Sequence, residues 1–284
     1  MVEECCRPNP PCRHFCRLDG HLLTGKGIIR NPDNGNEYEV LGVLAQGGMS
    51  ITYLVYNYQI KKLSVLKEIS CELASIAKAR ELFQREARIL QSLQNQGIPE
   101  FYDFFASKNY YSLIMEMIHG ESLDKVDFNN EKEVLKCTWE VAKILDYLHS
   151  LPQPIIHRDI KPTNLIFRYS PQEVVLIDFG AVKEAALEPG TRIATTGYSS
   201  PEQKKGLSFI QSDFYALGTT LVYLLTKKSP NAFYNPIMKK FIGLEEMGIS
   251  KPVINFINKM TEFEPQSRPV NALAVMDLVT ELMS

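Results

Sequence analysis

Cysteine all but disappears after the first sixteen residues. Cys5, Cys6, Cys12 and Cys16 fall there, and only Cys71 and Cys137 follow. A disulfide framework holding the body of the chain is therefore excluded. A surplus of either charge is also missing: 31 basic and 33 acidic residues give a formal net charge of −2, which offers nucleic acid no electrostatic footprint. No apolar run approaches the ~20 residues that a membrane-spanning helix needs. The N-terminus lacks the apolar core of a signal peptide, and Val2 leaves no glycine for N-myristoylation. These absences point to the cytoplasm. There is one tryptophan, Trp139, which reads as core packing, and no internal repeat or low-complexity tract. What remains is ordinary globular material, 45% hydrophobic and 23% charged, with ample substance for a core.

The densest chemistry lies in Ile155–Phe167, IIHRDIKPTNLIF. Here His157-Arg158-Asp159 is followed by Lys161 and then Asn164, in the spacing H-R-D-x-x-x-x-N. Phosphoryl transfer from a nucleotide needs this set. A carboxylate orients the attacking hydroxyl and accepts its proton, a cation screens the charge on the transferring phosphoryl oxygens, and a neutral oxygen helps hold magnesium. Fourteen residues after Asn164 comes Asp178-Phe179-Gly180, preceded by the apolar run Val174–Ile177. That run reads as a buried strand delivering a carboxylate at its end, where it can chelate magnesium bridging two phosphates.

With these two motifs in order, the chain from about Glu37 to its C-terminus resembles the eukaryotic-type serine/threonine protein kinase family. The resemblance implies an α+β, two-lobed fold. A small β-rich N-lobe with one main helix would span 37–118 and a larger helical C-lobe 119–284. It implies ATP with Mg2+ or Mn2+, protein substrates carrying serine or threonine, and autophosphorylation. Asp159 becomes the catalytic base, Lys161 the contact to the transferring phosphate, and Asn164 and Asp178 the magnesium ligands. Lysine two after the aspartate is what serine/threonine-directed members carry.

The N-lobe parts follow in family order. Tyr38–Tyr56 alternates around Gln46-Gly47-Gly48 and reads as a hairpin whose turn covers nucleotide phosphates. The family pattern G-x-G-x-x-G-x-V falls on Ala45, Gly47, Ser50 and Thr52, so only the middle glycine is kept. The ATP-binding stretch is Leu44, Ala45, Gln46, Gly47, Gly48, Met49, Ser50, Ile51 and Thr52. With two glycines gone it is expected to bind ATP more weakly than a three-glycine loop. Lys67 in SVLKEI matches V-A-I-K and would reach the α- and β-phosphates. Leu73–Leu93 reads as a helix, and Glu86 on it is the partner of Lys67, ahead of Glu81 and Glu72. Two strands follow over Ile98–Ile118. By resemblance Met115 borders the adenine pocket, and the backbone of Glu116 and Met117 hydrogen-bonds adenine.

The block from Met1 to about Asn36 is set apart as a Cys-rich leader. Four thiols so close suggest metal more than disulfides, and zinc would cross-link a segment too short for its own core. Cys5 or Cys6, Cys12, Cys16 and one of Asp19, His14 or His21 would complete a site. Cyanobacterial kinases carry a similar leader ending in C-x-x-C-G, and here Asp19 stands in place of the last cysteine. The other reading is a leader with unliganded cysteines.

After the DFG triplet, Thr195-Thr196-Gly197-Tyr198 and Ser200-Pro201-Glu202 resemble G-T-x-G-Y-x-A-P-E. Thr195 would sit beside Asp159 and Lys161, and Thr191 is an activating phosphosite candidate that Arg158 would pair with. Asp213 would brace the catalytic loop, and Arg268 would pair with Glu202. The remainder reads as helical, ending in a helix over Asn271–Met283. The whole reads as a serine/threonine kinase. A pseudokinase acting as nucleotide-binding or scaffolding module is the alternative, on the strength of the altered glycine loop. A small-molecule kinase is disfavoured by the Thr195–Glu202 stretch.

Overall fold

A computed structural model describes residues 27–47, 50–69, 71–107, 110–184 and 196–284. It divides into two units. One holds the described residues up to Gln94 together with Pro99–Met117, and the other holds Asn95–Ile98 with Ile118–Ser284.

The first unit is built on six antiparallel strands: β1 (Ile28–Arg30), β2 (Glu37–Gln46), β3 (Ser50–Asn57), β4 (Lys62–Ile69), β5 (Phe101–Ser107) and β6 (Tyr110–Glu116), in the order β1-β2-β3-β4-β6-β5. Period-two alternation decides which face is buried. Along β3, Ile51, Tyr53 and Val55 are buried and join Tyr38, Val40, Leu66, Phe105 and Ile114 in one core. Two helices follow β4, α1 (Cys71–Ala74) and α2 (Ala77–Ser92). The single helix expected over Leu73–Leu93 is thus interrupted at Ser75-Ile76, where Ile76 caps α2 in an extended conformation. Ala79, Phe83, Ala87 and Leu90 form the buried stripe of α2, at the spacings that keep a helix amphipathic.

The leader boundary drawn at about Asn36 falls inside this sheet. β1 pairs with β2, Ile29 opposite Tyr38, and the turn after it is pinned to β5 by one carboxylate. Asp103 Oδ2 accepts from Asn31 Nδ2 (2.9 Å), Asn36 Nδ2 (3.2 Å), Asn34 Nδ2 (3.3 Å) and the Tyr38 hydroxyl (2.5 Å). Burial pushes the Asp103 pKa up, but these donors hold it below the usual carboxylate range. Ile28–Arg30 and the turn after them are therefore tied to the first unit's sheet.

The second unit contains α3 (Glu131–His149), α4 (Ile210–Thr226), α5 (Lys251–Met260) and α6 (Ala272–Met283). Short strands accompany them: β7 (Gly120–Ser122), β8 (Ile155–Ile156), β9 (Leu165–Tyr169), β10 (Gln172–Leu176), β11 (Lys183–Glu184), β12 (Tyr234–Asn235) and β13 (Lys240–Phe241). β10-β9-β7 form one sheet, β11 pairs with β8, and β12 with β13. The last pair corrects the expectation that everything after Asp213 is helical. α4 is buried around most of its circumference, from Ser212 to Leu224, as befits a helix at the centre of a unit. A Cβ at Gly218 would come within 2.7 Å of Thr261 and 2.8 Å of Met260, so glycine permits the close approach of α5. Asn130 and Asn271 cap α3 and α6 by accepting from Glu133 N and Ala274 N.

Arg268 and Glu202 form the expected pair. Nη1 and Nη2 lie 2.7 and 2.9 Å from the two carboxylate oxygens. Arg268 also donates to the carbonyls of Glu262, Gln211 and Phe263, and the Ser212 hydroxyl donates to Glu202. Every charged group of this buried pair is hydrogen-bonded, the condition under which such a pair is tolerated. Burial alone would raise the pKa of Glu202. The bonds and charge of Arg268 hold it low instead.

Candidate active site

In the second unit, the catalytic-loop motif starts from the buried strand β8. The wholly buried carboxylate of Asp213 accepts the backbone N–H groups of His157 and Arg158, each at 2.8 Å, and lies 3.0 Å from His149 Nε2. Gln203 Nε2 donates to the Arg158 carbonyl at 2.9 Å, and Gln203 Oε1 accepts from Ser200 N (3.1 Å) and Ser200 Oγ (3.0 Å). Arg158 is thus fixed from both sides of its backbone in a left-handed conformation, φ +71°, which costs a non-glycine residue about 1–2 kcal/mol. Asp213 was legible in the sequence by resemblance. Gln203 and His149 were not, since neither stands at a spacing that marks it. The His157 ring is buried edge-on to Phe179, centroids 5.1 Å apart. Burial lowers its pKa against the pull of Asp213, Asp159 and Asp178, so the imidazole is neutral.

The acid–base group comes together within a few residues of this anchor. Asp159 Oδ2 accepts from Lys161 Nζ (2.8 Å) and from Asn164 Nδ2 (2.9 Å), and Asn164 Nδ2 also reaches the Asp159 carbonyl at 2.9 Å. The bonded amide nitrogen fixes the amide orientation of Asn164 and leaves its oxygen as the atom that could hold a metal ion. Ile177 N donates to the Asn164 carbonyl at 2.9 Å, which sets the end of the β10 segment against the loop. The next residue, Asp178, is exposed and is the second non-glycine residue here in the left-handed region, φ +65°. A neutral amide oxygen and an exposed carboxylate are the hard donors that Mg2+ prefers.

In the first unit, Lys67 Nζ lies 2.6 Å from Glu86 Oε1, both side chains nearly buried at 13% and 5% exposure. Of the alternatives, Glu81 pairs with Lys78 on the exposed face of α2. Glu72 lies where only the backbone is described. Ala45 faces Thr52 and Gln46 faces Ile51 across the β2–β3 turn, closed by Gly47 N donating to Ser50 O at 2.9 Å. Among the described residues, a Cβ at Gly47 would meet that carbonyl at 3.6 Å. Glu116 N donates to Glu100 O at 2.8 Å. The expectation that Glu116 offers its backbone to adenine therefore loses its N–H. Met115 pairs with Val65 and Phe101 in the sheet, and Met117 follows β6 half-buried.

Gly48, Met49, Thr191, Thr195 and the leader residues Cys5, Cys6, Cys12, His14, Cys16, Asp19 and His21 lie outside the described residues. Among the described residues, no group of three or more His, Cys, Asp and Glu could hold a metal ion, and no helix is long and apolar enough to cross a membrane.

A protein-family model for the protein kinase domain matches residues 38–279, and the chain belongs to that family. The α+β architecture expected from the resemblance is borne out. Serine/threonine-protein kinase D of Synechocystis sp. is 35% identical over 268 residues, covering 88% of this chain and 53% of that protein. Serine/threonine-protein kinase B of the same organism is 31% identical over 300 residues, 95% of this chain and 50% of that one. Serine/threonine-protein kinase PknA of Nostoc sp. is 34% identical over 267 residues, 85% and 46% respectively. The chain spans about half the length of the curated relatives it matches.

Proposed function

We propose that the chain transfers the γ-phosphate of ATP to serine and threonine hydroxyls of proteins, its own included. The observation that carries the reading is the Asp159 carboxylate, with Lys161 Nζ and Asn164 Nδ2 converging on one of its oxygens at 2.8 and 2.9 Å. Asp159, its carboxylate oriented by these two bonds, accepts the proton of the attacking hydroxyl. Lys161, already beside it, is the cation within reach of a phosphoryl group in transfer. Lys67, kept in place by Glu86, contacts the α- and β-phosphates, and the loop from Leu44 to Thr52 covers them. Mg2+, once bound by Asn164 and Asp178, supplies charge neutralisation on the phosphate oxygens. Thr195 and an activating phosphate on Thr191 complete the reading, which assigns the protein to the cytoplasm, where ATP is made.

A pseudokinase rests on Ala45 and Ser50 alone. Both are small, and Ala45 is accommodated opposite Thr52. The test is labelled-phosphate incorporation from ATP, with Mg2+ or Mn2+, into the protein itself and a generic basic protein. Wild type should label both, and Asp159→Asn should lose about 10²–10⁴-fold. Nucleotide binding without labelling by wild type would establish the pseudokinase instead.

A further inference from the structure

Gln203 is fully buried, at 0% exposure, and the proposed transfer gives it no task. A buried amide costs free energy unless both of its ends are hydrogen-bonded. Here the two ends serve different segments. Oε1 accepts from Ser200 N (3.1 Å) and Ser200 Oγ (3.0 Å), and Nε2 donates to the Arg158 carbonyl at 2.9 Å. A backbone N–H can only donate, so the oxygen has to face Ser200, and that fixes the nitrogen on Arg158. The mount is firm. Gln203 opens a short 3-10 turn, Gln203–Lys205, which ends at Gly206 in a left-handed conformation, φ +83°. Glu202, the residue before it, is held by Arg268 and Ser212.

Ser200 belongs to the stretch ending at Glu202 that resembles the family's protein-substrate segment. The Arg158 carbonyl belongs to the peptide group whose nitrogen is that of Asp159. Such a group is planar, so a bond to its oxygen sets the direction in which the chain enters Asp159. On the other side of Arg158, its N–H is held by Asp213 at 2.8 Å. Between the two bonds lies the left-handed φ of +71°, which a non-glycine residue keeps only where its surroundings over-determine it. We propose that Gln203 is a positioning residue with two separable tasks. Nε2 holds the Arg158–Asp159 peptide in the turn that aims the Asp159 carboxylate. Oε1 holds the protein-substrate stretch through Ser200. One amide thereby keeps the acceptor protein's seat and the base in register. This rests on the kinase reading and adds to it a residue outside the reacting atoms.

The test compares the full chain with Gln203→Glu and Gln203→Met, varying ATP and the generic basic protein in turn. It is run at ~pH 8.5, where an introduced carboxyl that accepts from Ser200 is ionised. kcat is counted per ATP-binding molecule, so that an unfolded fraction does not enter it. Glutamate keeps the acceptor for Ser200 and loses the donor to Arg158. Methionine keeps the length and loses both. The expected result is a fall in kcat of about 10-fold or more in both variants, the effect of leaving a buried carbonyl unpaired. KM for ATP should stay that of wild type, and KM for the protein should rise in Gln203→Met alone. A wild-type kcat in Gln203→Glu would overturn the proposal, because the donor would then be dispensable. A protein KM that moves alike in both variants would also overturn it, since the two ends of the amide would not be separable. Failure of both variants to bind ATP would assign the amide to folding alone and overturn it too. If wild type binds ATP and transfers no phosphate, the kinase reading itself fails and takes the proposal with it.

Discussion

Glu86 is a carboxylate on the buried stripe of a helix, 4% exposed, and its ion pair with Lys67 offsets the cost of burying it there. Removing the charge without the shape, in Glu86→Gln, replaces a charged hydrogen bond of about 1.5–3 kcal/mol with a neutral one and frees the Lys67 ammonium from its position. We expect kcat/KM for ATP to fall about 5–10-fold, the difference between a charged and a neutral bond, while the far-UV spectrum stays that of wild type. Steady-state kinetics at varied ATP check it. The pairing of Lys67 with Glu86, and the meeting of Lys161 and Asn164 on Asp159, were legible because each residue sits in a short stretch with its own signature. Gln203 and Asn31 were not. Each is defined by a bond to residues 45 and 72 positions away in the chain, and nothing local encodes such a partner.

Elements were legible where periodicity ran long enough to register. α3 and α6 were foreseen to within a residue. β1 was missed because three residues between glycine and an Asn-Pro turn carry no period. The β12–β13 hairpin was missed because two-residue strands cannot show alternation. α2 was drawn too long because the apolar spacing runs through the Ser75-Ile76 break. β1 owes its place to Asp103, so Asp103→Ala should leave Asn31, Asn34, Asn36 and the Tyr38 hydroxyl without their common acceptor. We expect a loss of about 1–3 kcal/mol, concentrated at the edge of the sheet. Amide exchange of Ile29 and Tyr38 should quicken by one to two orders of magnitude, while that of Tyr53 and Leu66 stays unchanged.

For the whole chain, buried ionisable groups set the response to acid. His157 has a folded pKa below its ordinary value. The unfolded chain therefore takes up the proton first, and stability is lost as pH falls below ~6.5. Glu202 is likewise depressed. Its contribution is present above the ordinary carboxylate range and lost below ~4.5. Glu140, raised by burial, acts in the opposite sense just above that range. The melting midpoint should thus fall in two steps between pH 7.5 and 3.5. His157→Phe, which keeps a ring against Phe179, should abolish the first step and leave the second. Thermal melts across that range check both.

Two non-glycine residues, Arg158 and Asp178, hold left-handed backbone on either side of the acid–base group. Glycine would adopt that conformation without steric cost, so at these positions heat tolerance and chemistry pull in opposite directions. A library screened only for survival at elevated temperature would be enriched in Asp178→Gly and Arg158→Gly. Its hardiest members would be those lacking the side chains proposed to hold Mg2+ and the Thr191 phosphate. Any programme to harden this protein must therefore select on turnover at the same time.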